Sequence, residues 1–324
     1  MISVIVPAFN AANTIHETVS SALNQTHCNL EVIIVDDGST DQTGTVAARL
    51  AESDLRVRYV YKENGGVASA RNRGIAEAQG EFVATLDADD LWYPTKLERQ
   101  LQRLEQSGPE TALVYAWCCW IDDDGNVTGS APPTRLEGNI LPDMCLGNVV
   151  ISGSNALTRR EAVIAAGGFD ESLRSRGAQG CEDWKLYLAI AERHRIAMVP
   201  EYLVGYRVSP GSMSDDFEQM MRSRRLVEAE FIAAHPELAL QFARGETILA
   251  RSLALRAMDR GQIRQAVKLL TNHPQGRAAA GLASLTWLMS GAIRRSLRWS
   301  RIHRYPTAHQ FLPTSRPGQA PCIR

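Results

Sequence analysis

"EFVATLDADDLWYP", residues 81–94, runs from an apolar stretch, Phe82-Val83-Ala84-Thr85-Leu86, straight into Asp87, Asp89 and Asp90. A short continuous apolar run of this kind reads as a strand buried on both faces. Three like charges within four positions repel one another, so the cluster asks for a positive partner. Two aspartates separated by one residue at a strand end suit a hard divalent cation such as Mg²⁺ or Mn²⁺, which takes oxygen ligands and bridges to phosphates. Such an ion neutralises a diphosphate and stabilises it as a leaving group. A simpler role is open to Asp89 or Asp90, since either can cap the helix that Pro94 would open.

Outward from this stretch the same grammar repeats. Residues 3–8, 30–37 and 57–62 are β-branched or apolar runs, and 14–25, 41–52 and 66–79 carry helical spacing. Apolar strands alternating with helices of about 12 residues predict an α/β fold: a mostly parallel sheet flanked by helices. Right-handed crossovers then bring the C-terminal ends of the strands to one rim, where ligands of open α/β sheets bind. Asn10, Asp36, Asp37, Asp87 and Asp89 all fall on that rim.

Farther along, 111–121 reads as a buried strand and 122–126 as a hairpin turn. A short strand is expected at 154–158, a helix from 159 or 160 to about 166, a loop at 167–173 and a helix at 181–194. Residues 195–208 read as two short strands, and from 218 to about 300 the pattern is helical. Residues 305–324 hold four prolines and few apolar side chains and are expected to fray.

Three further motifs carry chemistry. In "DDGSTD" (36–41), Gly38 permits a tight turn and Ser39, Thr40 or Asp41 can cap the next helix; Asp36 and Asp37 are left over, placed to accept hydrogen bonds from a base N–H or ribose hydroxyls. "NGGVASARNRG" (64–74) puts two glycines before a helix start, a phosphate-friendly arrangement, and leaves Arg71 or Arg73 to face a diphosphate or merely solvent. "CEDWKLYL" (181–188) sets Glu182 and Asp183 at a helix start, where the dipole favours acids and where one of them can serve as a general base.

Charge is unevenly spread over the 324 residues. After Asp259 there is no acid but there are eleven Lys or Arg, leaving 24 basic against 36 acidic side chains in 1–259, a net −12. That balance excludes nucleic acid as the partner of the body. The six cysteines show no ligand spacing and read as reduced thiols; the N-terminus lacks a charged n-region and a cleavage site, so no secretory signal is expected. The uncharged stretch 278–293 would be roughly 24 Å long as a helix, short of a hydrocarbon core of about 30 Å. Its leucines, Trp287 and Trp299, and the arginines beyond it fit either a membrane-surface contact through 278–304 or a helix packed on the acidic body.

The motifs "SVIVPAFN", "VIIVDDGSTD", "NGGVASARNRG", "EFVATLDADD", "GGFDESL" and "EDWKLYL" resemble, in order and spacing, those of the family 2 inverting glycosyltransferases, which have the nucleotide-diphospho-sugar transferase (GT-A) fold. The resemblance covers about residues 1–208. It implies a GT-A domain over 1–212 and does not extend to the C-terminal third, where the residue pattern alone gives a helical region, 213–304, and the frayed tail, 305–324. It implies that Pro7, Ala8 and Asn10 line the nucleotide pocket with Glu17 close to the nucleoside, and that Asp37 binds the base. Asp87 and Asp89 match the D-x-D motif, Asp89 being the direct ligand of Mn²⁺ or Mg²⁺; of the two arginines in "NGGVASARNRG", Arg71 is the candidate taken for the donor site. Asp183 matches the catalytic base, with Glu182 the second choice. Gly168 falls in a loop near donor sugar and acceptor, and Arg207 in a segment that folds over the diphosphate. Lys185 departs from the pattern, standing where the family often has a second acid. The expected donor is a nucleotide-diphospho-sugar, a UDP-sugar by preference, and the expected acceptor a glycan or a lipid-linked acceptor. The expected setting is the cytoplasm or the inner face of the cytoplasmic membrane. Two other readings stay open. A nucleotidyltransferase would need a glycine- and basic-rich first loop, which "PAFNAANTIHE" lacks. A non-catalytic nucleotide-sugar binder would need a damaged metal or base motif.

Overall fold

The computed structural model describes residues 1–209, 216–271 and 310–312. The first part is a run of βα units: β1 (Ile2–Ala8), α1 (Ile15–Leu23), β2 (Leu30–Asp36), α2 (Thr43–Ser53), β3 (Val57–Tyr61), α3 (Val67–Glu77) and β4 (Phe82–Thr85). After the three aspartates come β5 (Leu91–Trp92), α4 (Lys96–Gln106), β6 (Thr111–Ile121), β7 (Val127–Ser130), α5 (Leu141–Leu146), β8 (Leu157–Arg159), α6 (Arg160–Ala165), α7 (Ser172–Ser175), α8 (Glu182–Ala191) and β9 (Arg195–Arg207). The helical part is α9 (Phe217–Ala234), a 3₁₀ turn at Pro236–Leu238, α10 (Ala239–Asp259) and α11 (Ile263–Thr271).

The sheet order is β3-β2-β1-β4-β8-β6-β9-β5, with β7 hydrogen-bonded to β6. The expected α/β class holds. The parallel part is β3-β2-β1-β4; β8 enters antiparallel to both β4 and β6, and β9 runs parallel to β6. Every residue of β1 and β2 is buried, which is why both are largely apolar; the polar side chains inside them, Ser3 and Glu31, hydrogen-bond each other at 2.6 Å. One hydrophobic core lies under α3, α5, α8, α9 and α10, and another under α1, α2 and α4.

Several local expectations are corrected. Residues 195–207 form one strand of 13 residues, and its Pro200 and Glu201 are absorbed by register shifts against β6 near Ala116 and Trp117. The strand expected at 154–158 starts only at Leu157, because Ser154 and Asn155 are buried hydrogen-bonding hubs. The C-terminal end is not frayed at 310–312, where Phe311 is 7 % exposed. Cys118, Cys119, Cys145 and Cys181 are free buried thiols, whereas Cys28 is disulfide-bonded. The segment 278–304 lies outside the described residues, among which no helix is long and apolar enough to cross a membrane.

Helices α9 and α10 share the core of α8. Trp184 of α8 meets Phe242 edge-on at 6.1 Å, and the Arg224 guanidinium lies 4.6 Å over the Trp184 ring.

Candidate active site

The parallel register brings the ends of β1, β2 and β4 to one edge: Ala8 pairs with Asp36, and Ile5 with Thr85. Pro7 and Ala8 are buried there, and the Ala8 carbonyl accepts the Asp37 N–H at 2.8 Å. Asn10 follows in a left-handed conformation, φ 51°, with its Oδ1 accepting the Thr40 N–H at 2.9 Å. That contact clasps the first strand-to-helix loop onto the second.

The β2 end is well satisfied. Asp36 accepts Ser39 N–H at 2.8 Å and the Tyr59 hydroxyl at 3.0 Å, and burial together with Asp36 pushes the Tyr59 pKa up to about 12. Asp37 accepts Lys62 Nζ at 2.6 Å, Gly65 N–H at 2.8 Å and Gly66 N–H at 2.7 Å. Gly38 is needed at the turn: its φ is +75°, and a Cβ there would stand 2.8 Å from the Asn64 nitrogen. Asp41 accepts the Thr43 N–H at 2.9 Å just ahead of α2, whose N-cap position is Gln42 and not one of the residues expected to cap it.

The β4 end is crowded. Asp87 Oδ1 takes Arg71 Nη2 at 2.5 Å, and its backbone N–H donates to Ser154 Oγ at 2.9 Å. Asp90 is fully buried, accepting Ser154 Oγ–H at 2.5 Å and Arg207 N–H at 2.9 Å. Neither Asp89 nor Asp90 caps the next helix: β5 intervenes, and α4 begins behind Thr95. Burial, then the Asp87 charge, pushes the Asp89 carboxyl up to about 6; burial beside Asp89 and Asp87 holds Asp90 well above the usual range. Carboxylates this reluctant to ionise together fit a cation between them and a ligand. Among the described residues no three His, Cys, Asp or Glu side chains converge on one point. A cation here would therefore take Asp89 with Asp87 beside it and complete its shell from water and diphosphate oxygens, as Mg²⁺ or Mn²⁺ does.

Arg71 is the hub. It is 5 % exposed, and its guanidinium lies 5.1 Å over the Phe169 ring. Burial works against its charge, but Asp87 and Asp183 outweigh burial and raise its pKa. Arg73, two positions on, points the other way and pairs with Glu77 at 2.8 Å on the surface. Of the two arginines, Arg71 is the one turned into the acidic cluster.

Across Arg71 stands the acidic pair. Asp183 accepts Asn148 Nδ2 at 3.0 Å and Trp184 N–H at 2.7 Å, and burial, opposed by Arg71, leaves its pKa at about 6. Glu182 is 4 % exposed, accepts Gly180 N–H at 2.9 Å, and has its pKa raised by burial. It holds the loop before its own helix.

Of the remaining expected residues, Gly168 (φ +72°) sits where a Cβ would meet Asn72 Oδ1 at 2.8 Å. Asn72 pins this loop through both backbone groups of Phe169, each at 2.8 Å. Lys185 bonds Asp170 at 2.6 Å and also Glu230, tying loop, α8 and α9 together. Glu17 and Arg207 bond each other at 2.9 Å. The Arg207 guanidinium is buried and also donates to the carbonyls of Asp89, Asp122 and Asp123 at 2.6–2.7 Å, so it grips the aspartate loop from behind. Sequence reasoning missed Lys62, Asn72, Asn148 and Ser154. Lys62 and Asn72 stand in or beside the motif "NGGVASARNRG"; Asn148 and Ser154 carried no signal.

The profile described as Glycosyl transferase family 2 matches residues 3–166. An uncharacterized glycosyltransferase of Rickettsia conorii is 32% identical over 217 residues, 65% of this chain; the chain spans only 33% of that relative's length. The UDP-Glc:alpha-D-GlcNAc-diphosphoundecaprenol beta-1,3-glucosyltransferase WfaP of Escherichia coli is 30% identical over 254 residues, 75% of this chain and 91% of the relative. Among solved structures, S. aureus TarS 1–349 in complex with UDP-GlcNAc superposes with TM-score 0.61 at 19% identity, covering 84% of this chain and 81% of its own. The mannosyltransferase PcManGT from Pyrobaculum calidifontis, in complex with GDP-Man and Mn²⁺, gives 0.60 at 22%, covering 90% and 79%. At these identities the two structures share the fold.

Proposed function

Because the chain belongs to glycosyl transferase family 2, we propose that its acidic rim transfers a sugar from a nucleotide-diphospho-sugar to an acceptor hydroxyl with inversion. The observation that carries this reading is Arg71, buried between Asp87 of the D-x-D motif and Asp183 at the start of α8. Asp183 takes the acceptor proton, the acceptor oxygen bonds to the anomeric carbon, and the bond from that carbon to the diphosphate oxygen breaks with its electron pair going to the diphosphate. One displacement inverts the centre. Asp89, beside Asp87, holds the divalent cation, Mn²⁺ or Mg²⁺. When bound, the ion supplies charge that stabilises the departing diphosphate. Pro7, Ala8, Asn10 and Asp37 form the nucleoside end, with Glu17 close by, while Arg71 fixes Asp87 and tempers the Asp183 pKa. Gly168 and Arg207 support the site from the sugar-side loop and from beneath the aspartates.

A UDP-sugar donor is supported by WfaP, whose name gives UDP-Glc, and by the fold shared with TarS bound to UDP-GlcNAc. WfaP's diphosphoundecaprenol acceptor favours a lipid-linked glycan, and a Bacillus subtilis relative 48% identical over 103 residues is a putative teichuronic acid biosynthesis glycosyltransferase, which favours envelope polysaccharide synthesis. Such an acceptor would place the reaction on the cytoplasmic face of the membrane, where the basic segment 278–304 could meet anionic headgroups. The test is release of UDP from UDP-glucose by the purified chain with Mn²⁺, with and without EDTA, alongside GDP-mannose as competitor donor. Metal-dependent UDP release supports the reading. Neither release nor nucleotide binding with either donor would overturn it.

A further inference from the structure

Residues 310–312 pack on the β6–β7 hairpin. Gln310 forms an antiparallel bridge with Asn126, and the Phe311 N–H donates to the Gly125 carbonyl at 2.9 Å. The Phe311 ring is buried with Leu91, Cys119 and Ile121, and meets Tyr93 edge-on at 6.1 Å. Strand β9 carries glycine where the ring lies: a Cβ on Gly205 would stand 2.9 Å from Phe311 Cδ1. The seat is therefore built for an aromatic side chain arriving from a distant part of the sequence.

Each wall of that seat leads to the aspartate loop. Leu91 follows Asp90 directly and pairs with Gly205 across β5 and β9. Gly205 stands two residues before Arg207, whose backbone N–H binds Asp90 and whose Nε–H binds the Asp89 carbonyl at 2.7 Å. The hairpin supplies the Asp122 and Asp123 carbonyls that hold Arg207 Nη1 at 2.6 and 2.7 Å. The hairpin is anchored on its β6 side, which is laddered to β9 up to the pair Ile121 and Arg207. Its tip here is closed by the turn bond from Gly125 N–H to the Asp122 carbonyl, at 3.0 Å, and by Phe311.

We propose that Phe311 is a positioning residue of the donor site. Wedged between β5, β9 and the hairpin, it holds Arg207 in register, and Arg207 holds Asp89 and Asp90. The C-terminal segment thereby completes the site that the first ninety residues begin. The inference rests on the assignment of Asp87–Asp90 to donor and cation binding.

The experiment compares full chains carrying Phe311, Phe311→Leu and Phe311→Ala by two measurements: amide hydrogen exchange, and calorimetric titration with UDP and Mn²⁺. For Phe311→Ala, amides of 121–127 and 86–92 should exchange about tenfold faster or more while those of α8 stay protected, since local openings are independent of global stability. UDP–Mn²⁺ affinity should fall by about tenfold, a loss of 1.4 kcal/mol, and Phe311→Leu should recover most of both. A variant whose hairpin loosens while 86–92 and nucleotide affinity stay unchanged would overturn the proposal, as would unchanged exchange throughout or faster exchange of α8 to the same degree. If the unaltered chain binds no UDP with Mn²⁺, the donor-site assignment fails, and the exchange data still decide whether Phe311 orders the aspartate loop.

Discussion

The two acidic strand ends on this rim are built in opposite ways. At the end of β2, Asp36 and Asp37 are surrounded by donors: two backbone N–H groups and Lys62 for Asp37, a hydroxyl and an N–H for Asp36. At the end of β4, and across Arg71 in Asp183, burial outruns the donors on hand and carboxyl pKa values rise to about 6. A satisfied carboxylate is a fixed acceptor, suited to holding a nucleoside in register. An undersatisfied one gains when a proton or a cation arrives, so it is suited to the reacting end.

The sharpest way to break this contrast is to neutralise Asp183. Asp183→Asn should keep nucleotide affinity and lose about 10²–10⁴-fold in kcat, the usual worth of a general base. A larger loss in Glu182→Gln, measured in parallel, would exchange the roles of the pair. Asp89→Ala should abolish metal-dependent turnover, a loss of roughly 10²-fold or more given that a bound ion contributes several kcal/mol to charge stabilisation. Full turnover at saturating Mn²⁺ would show that the crowding at β4 serves the fold alone. Asp37→Ala should act differently, weakening UDP binding by about tenfold while leaving the rate at saturating donor nearly intact, because it touches binding and not the reacting centre. Equal loss in kcat would erase the distinction between the two ends.

The smallest effect is in pH. A base must be deprotonated to act, and Asp183 sits at about 6, so kcat/KM should fall tenfold per unit below that pH and level off above it. Arg71→Met removes the charge that lowers this pKa, so the limb should move to higher pH. A profile that does not shift would separate Arg71 from the base.

The parallel half of the fold was legible because strands buried on both faces must be largely apolar and helices between them must cover both faces. The rim residues followed from that topology. What stayed hidden depends on distant partners. Three aspartates in four positions look alike until Ser154 and Arg207 claim Asp90 and Arg71 claims Asp87. Arg71 and Arg73 are two residues apart on α3 and so face opposite sides, but only the packed helix says which side is the site. Residues 195–208 read as two short strands, yet one strand runs through Pro200 and Glu201 because its ladder to β6 slips register there. Residues 310–312 carry no pattern of their own; Phe311 is recognisable only by the room that Gly205 leaves for it.

The packing of α8 has a consequence for the order of events during synthesis. Trp184, next to Asp183, is covered by Arg224 of α9 and Phe242 of α10, and the α10 backbone at Gly245 approaches the Cys145 and Leu146 carbonyls so closely that a Cβ would stand 2.4–2.6 Å from them. A ribosome delivers the nucleoside-binding strands first, at roughly 5–20 residues per second. The helix bearing Asp183 must then wait for chain made several seconds later before its neighbours are complete. Until then the growing polypeptide has the ends of β1, β2 and β4 in outline but not a settled Asp183, so on the proposed function chemistry waits until the helical part has left the exit tunnel.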